Sequence, residues 1–146
     1  MRRFAFKLER VLELREYDEK VAEAVLGEKT AVCSRLTLAL EANARAAVEA
    51  ARERFRPGSD ASDHRAGELY AVRLSQERER LFKSLAAAEL EREAARVDYV
   101  EATKARRLVT KLREREEAVY YKAVAREETK AMDDLAAGAH ARADAR

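Results

Sequence analysis

The sequence predicts an all-α protein: a long antiparallel two-helix coiled-coil hairpin with a C-terminal helical overhang. Three observations predict it. Charged residues make up 40% of the 146 residues, with one Pro, four Gly and no Trp, which is the composition of long helices and coiled coils. Apolar residues recur at steps of three and four on both sides of a single interruption. That interruption, residues 56 to 63 (RPGSDASD), is the one concentrated breaker signal in the chain.

Helix one is expected over residues 4–56. Its apolar stripe runs through Leu8, Val11, Leu12, Ala22, Val25, Leu26, Val32, Cys33, Leu36, Leu40, Ala44, Val48 and Phe55, a narrow face suited to one partner helix. The pairs Glu16 with Lys20 and Glu41 with Arg45, each acid first at a spacing of four, add tenths of a kcal/mol from the solvent side. Gly27 costs about 1 kcal/mol relative to Ala in a helix; it marks either a flexible point or a close helix approach.

The turn is expected over 57–62. Pro57 disfavours a helical residue before it, Gly58 admits a left-handed turn, and Ser59, Asp60, Ser62 or Asp63 can cap the next helix. Helix two is expected over 63–137, with a stripe through Leu69, Leu74, Leu81, Leu85, Ala88, Ala95, Tyr99, Ala102, Val109, Leu112, Val119 and Ala123. Residues 138–146 are expected to fray.

At about 1.5 Å per residue the first helix would be on the order of 80 Å long and the second on the order of 115 Å. A turn centred near residue 59 puts residue i opposite roughly 118 − i, so Phe4 should lie near Glu114. Val119, Tyr120, Tyr121 and Val124 then fall where the first helix has run out. An isolated helical turn gains little by itself, so these four groups call for another molecule. The same folding stacks two basic segments: Arg2, Arg3, Lys7, Arg10 and Arg15 in the first, and Lys104, Arg106, Arg107, Lys111, Arg113 and Arg115 in the second. Their repulsion favours an acidic partner at that end.

Several function classes are excluded. Net charge is +2, from 30 basic and 28 acidic residues, and no aromatics interleave with the basic run, so nucleic acid is not an expected partner. Cys33 stands alone, which rules out an intrachain disulfide and suits a small core residue in a reducing compartment. The opening Met-Arg-Arg has the positive flank of a signal peptide, but Glu9, Arg10 and Glu13 interrupt any apolar run behind it. No stretch approaches a membrane span, and a cytoplasmic protein is expected. The glycines stand apart at 27, 58, 67 and 138, and no phosphate loop, nucleophile elbow or metal-ligand cluster appears. No enzyme activity, cofactor or metal is expected. His64, beside the turn, is read as a solvated or capping residue, and His140 lies in the tail.

Three features resemble one family. The opening Phe4-Ala-Phe-Lys-Leu-Glu-Arg-Val-Leu-Glu-Leu-Arg-Glu is similar to the start of FliJ, a small flagellar export protein, with Phe4, Leu8, Val11, Leu12 and Arg15 in place. The closing Lys111-Leu-Arg-Glu-Arg, Tyr120 or Tyr121, Arg126-Glu-Glu and Asp133-Asp-Leu-Ala resemble that family's basic ending, with Asp134 where Glu is commoner. Two helices of this length broken near residue 60 complete the likeness, which covers the whole chain.

The resemblance implies a non-enzymatic component of the flagellar type III export apparatus, a hairpin similar to the rotary ATPase gamma subunit. It implies three partners: the flagellar export ATPase hexamer, the cytoplasmic domain of the export-gate membrane protein, and export chaperones. It also implies a peripheral place on the cytoplasmic face of the inner membrane at the flagellar base. The ATPase-ring residues so implied are Phe4, Arg10, Lys111, Arg113, Arg115, Tyr120, Tyr121 and Val124. The export-gate residues are Tyr70, Leu74 and Leu81, although the family prefers an aromatic near 73 or 74, where this chain has Arg73 and Leu74. The competing readings are a stand-alone scaffolding coiled coil and the homologous stalk protein of a virulence-type secretion system.

Overall fold

The computed structural model describes residues 3–54 and 56–144, with side chains as far as Ala139. Arg2, Phe55 and the side chain of His140 lie outside the described residues. Two helices, α1 (Glu9–Arg54) and α2 (Ala61–Asp144), pack against each other as a helical hairpin, and no strand occurs among the described residues. No helix among them is long and apolar enough to cross a membrane.

Helix α1 starts five residues later than expected. Residues 3–6 have no regular structure and 7–8 form a turn, closed by the Glu9 amide donating to the Phe6 carbonyl at 3.3 Å. The cause is apolar: Phe6 is 8% exposed and Phe4 stacks on an α2 tyrosine, contacts that a continuous helix would direct elsewhere. At the other end α2 passes Gly138 and continues to Asp144, where a boundary at 137 was expected. One glycine costs about 1 kcal/mol in a helix, too little to end one in an Ala-rich segment.

The turn settles which residue caps α2. Gly58 takes φ 95°, the left-handed region that glycine enters without a Cβ penalty. The Asp60 carboxylate accepts the amides of Ser62 and Asp63, both at 2.8 Å, while the Asp63 carboxylate accepts the Asp60 amide at 3.2 Å. This reciprocal pair satisfies amides that a helix start leaves unbonded. The Asp63 and Ser62 groups donating to it hold the Asp60 carboxyl below its ordinary pKa. His64 is exposed.

Contacts divide the chain into a terminal unit, Met1–Glu19 with Ala102–Arg146, and a turn unit, Lys20–Glu101. In the turn unit the seam takes Ala22, Leu26, Cys33, Leu36 and Leu40 from α1 and Leu74, Leu81, Leu85, Ala88 and Ala95 from α2, all buried or half-buried. Alternating steps of three and four keep them on one line. Four expected stripe residues lie off it: Val25, Ala44, Val48 and Leu69 are exposed. Polar residues take seam places instead. Asn43 is 7% exposed, and its Nδ2 donates to the Leu74 carbonyl at 3.1 Å. Lys29 reaches Glu91 at 2.8 Å and Arg54 reaches Glu68 at 2.5 Å. A Cβ on Gly27 would meet nothing within 4 Å, so this glycine serves no close helix approach.

A buried amide in a seam specifies alignment at some cost in stability. Asn43→Leu is expected to raise stability by about 1 kcal/mol, or roughly 3 °C in melting temperature, while loosening the α1 to α2 alignment. Circular dichroism melts would report the first effect and loss of a single cysteine cross-linking pattern across the seam the second.

Candidate functional site

The terminal unit is built on its non-helical arm. Residues 3–6 have left the helix and 7–8 turn into it, so the arm lies along α2 without following the path a continuous helix would take. Phe4 reaches Tyr120, with ring centroids 5.7 Å apart and planes tilted by 50°. The expected neighbour was Glu114; the helical pairs Glu9 with Arg113 and Glu19 with Arg106 are displaced from the expected pairing in the same direction, so the shift is already set within the helices. Tyr120 in turn meets Tyr121 edge-on at 5.6 Å and 76°. Both separations fall in the favourable range for tilted aromatic pairs.

The sheltered positions of α2 register this change of partner. Arg106, Val109 and Arg113 keep the seam spacing, but the next half-buried residues are Glu117, Tyr120 and Val124. Two successive steps of four turn the covered line around the helix where the arm replaces α1. Of the four residues expected to lack a partner, Tyr120 is covered by Phe4 and Val124 is half-buried, whereas Val119 is 68% and Tyr121 56% exposed. An open cleft of ≈ 460 Å³ lies here, lined by Phe4, Ala5, Lys7, Arg115, Glu116, Val119 and Tyr120. Beyond it α2 runs on with every side chain from Ala125 to Ala137 exposed, Met132 and Leu135 among them.

The cations divide into two sets. Arg113 donates to the Glu9 carboxylate at 3.2 Å, and Arg106 pairs with Glu19. These bonds across the helices offset the repulsion that stacking two basic segments predicts. Burial raises the energy of the charged Glu19 carboxyl, but the Arg106 guanidinium, the Thr103 hydroxyl and the Arg107 charge outweigh it and hold the pKa below the ordinary value. Arg10, Lys111 and Arg115 are exposed. Arg115 lines the cleft beside Phe4 and Tyr120 together with Lys7, and Arg10 and Lys111 add exposed positive charge to the same unit.

In the turn unit, Tyr70, Leu74 and Leu81 line one shallow groove with Arg73, Glu77 and Arg80. The three differ in availability. Tyr70 is 46% exposed, Leu81 is half-buried, and Leu74 is buried in the seam at 7% exposure. Leu69, Val72 and Phe82 are exposed on the same helix; Leu69 was expected on the seam, and Val72 and Phe82 were not selected from sequence, although an aromatic standing off the seam spacing was the available signal for Phe82. Among the described residues no group of His, Cys, Asp and Glu is placed to hold a metal ion.

A family model described as Flagellar FliJ protein matches residues 4–145. No curated protein and no solved structure matches the chain.

The Glu19 pair gives the terminal unit a pH dependence whose sign is fixed. A carboxyl whose folded pKa lies below its unfolded value of 4.5 contributes stability fully present above that value and lost as pH falls through the folded one. Glu19→Gln should destabilise the protein by about 1 kcal/mol at neutral pH. The difference between variant and parent should shrink progressively as pH falls below 4.5, read from melting temperatures across that range.

Proposed function

The chain belongs to the FliJ family and is a component of the flagellar export apparatus, and we propose that it works there as a stalk whose terminal unit binds the export ATPase ring and whose turn unit meets the export gate. One observation carries the ATPase assignment: Val119 and Tyr121 are held exposed beside the Phe4–Tyr120 stack, within a set of unburied cations. Large aromatics ringed by polar groups are the usual anchors of an interface. Arg10, Lys111 and Arg115 add attraction to an acidic ring lumen, which speeds encounter more than it strengthens the complex.

The stalk needs no catalytic group. A protein that contacts one state of an ATPase ring better than another shifts the ring towards that state by the difference in contact energy. The turn unit supports the gate reading through the groove at Tyr70, Leu74 and Leu81 and the exposed Phe82 beyond it. Because Leu74 is spent on the seam, Tyr70 is the contact that can be removed without loosening the fold.

The tests separate the two ends. Val119→Ala with Tyr121→Ala removes exposed groups only, so helicity should hold while ring binding weakens by about 1 to 4 kcal/mol, mainly through faster dissociation. Full stimulation of the ATPase by this variant, at concentrations below saturation, would move the ring contact elsewhere. Replacing Arg10, Lys111 and Arg115 with Gln should flatten the salt dependence of the association rate. Tyr70→Ala should reduce binding to the gate protein's cytoplasmic domain and leave ATPase stimulation unchanged; unchanged gate binding would refute the groove's role.

A further inference from the structure

Residues 3–8 (Arg-Phe-Ala-Phe-Lys-Leu) hold neither Pro nor Gly, so nothing in their local chemistry stops α1 from continuing back through them. The seam shows where they would then lie. On α1 it follows two lines of period seven, one through Leu12, Glu19 and Leu26 and the other through Ala22, Lys29 and Leu36, all buried or half-buried. Ala5 stands seven residues before Leu12, and Leu8 fourteen before Ala22. A helical continuation would therefore set Ala5 and Leu8 on the seam. Phe6 would fall in line with the exposed Arg10 and Glu13, and Phe4 in line with the exposed Val11 and Leu14.

The chain makes the opposite choice. Ala5 and Leu8 are exposed, Phe6 is buried, and Phe4 is half-buried on Tyr120. The two arrangements exclude each other, because each buries what the other releases. The arm gains little from its backbone: the Glu9 amide meets the Phe6 carbonyl at 3.3 Å, longer than the usual 2.9 to 3.0 Å. Its advantage is apolar. Burying a phenylalanine ring takes more surface from water than covering an alanine and the remaining third of a leucine.

We propose that Phe6 is a positioning residue for the ring-binding end, and that it acts by holding residues 3–8 out of a helical continuation that would dismantle the cleft. This rests on reading the terminal unit as the ring site. Phe4, Ala5 and Lys7 are three of the seven residues that line the cleft, with Arg115, Glu116, Val119 and Tyr120 opposite them. Continuation of α1 withdraws Phe4 from Tyr120 and carries all three arm residues onto a different path. The cleft and the helical continuation are therefore alternatives, and Phe6 sets the balance between them without lining the cleft itself.

Phe6→Ala in the full chain tests this, read by backbone 13Cα shifts and by affinity for the export ATPase ring. Loss of a buried aromatic ordinarily loosens a structure. Here residues 5–8 should instead gain helical shifts, and ring affinity should fall about tenfold as the population that holds the cleft falls. Lys7→Pro supplies the rescue. Lys7 is the second residue of the turn closed by the Glu9 to Phe6 bond, and the described residues take positive φ at Gly58 alone, so the site suits proline. Proline there disfavours a helical backbone at position 6. Adding Lys7→Pro to Phe6→Ala should return residues 5 and 6 to non-helical shifts and recover affinity, whereas adding Lys7→Ala, which removes the same charge, should not. Residues 5–8 that stay non-helical in Phe6→Ala overturn the proposal, as does a Phe6→Ala, Lys7→Pro chain that binds no better than Phe6→Ala, Lys7→Ala. The shifts are read on the free chain, so they decide the switch separately from the ring assignment.

Discussion

The hydrogen bond from Asn43 to the Leu74 carbonyl is the constraint on which the alignment of the two helices depends. A seam assembled largely from Ala and Leu is permissive: sliding one helix by seven residues exchanges one small apolar contact for another at little cost. The amide is not permissive. Left buried without a partner it costs about 1 to 3 kcal/mol, so only alignments that bring a carbonyl to it survive. Lys29 with Glu91 and Arg54 with Glu68 repeat that choice at more exposed positions, where each contributes less. Selectivity in this fold resides in its few polar contacts and cohesion in its many small apolar ones.

The helices, the turn and the antiparallel pairing were legible because each is written in local chemistry: unbroken helical periodicity, and Pro57 and Gly58 followed by a choice of capping residues. Which residues occupy the seam was less legible. Over a long helix, counting apolar groups at steps of three and four admits two neighbouring lines, and Val25 and Val48 lie on the wrong one. Asn43 was invisible to any reading that equates a seam with apolar residues. The aromatic end was legible as a concentration of Tyr and cations, but its geometry was not. Nothing in Phe4-Ala-Phe-Lys announces that the backbone leaves the helix there, since Phe4 meets Tyr120, more than a hundred residues away in the chain, and Phe6 is buried.

That departure shapes the terminal unit. Were α1 to continue to its first residues, Tyr120 would stand as bare as Tyr121. With the arm in place, Tyr120 is pinned by Phe4, and Tyr121 is braced against Tyr120. An anchor held in one orientation before binding loses less side-chain freedom on binding. The ion pairs at Glu9 and Glu19 leave this end positive without leaving it strained. Arg113 and Arg106 are occupied, while Arg10, Lys111 and Arg115 face solvent.

The contacts across the helices also form a graded series in chain separation. Arg54 with Glu68 spans 14 residues, Asn43 with Leu74 spans 31, Lys29 with Glu91 spans 62, Arg106 with Glu19 spans 87, and Arg113 with Glu9 spans 104. Closing a loop costs more entropy the longer it is, but each contact shortens the loop that remains for the next. Loop-closure entropy therefore favours zipping from Gly58 outward, each step small, and unzipping in the opposite order. The aromatic arm is the last part to close and the first to open. Local opening is cheapest there, so the end that carries Phe4 and Tyr120 can exchange partners while the contacts around Asn43 stay shut.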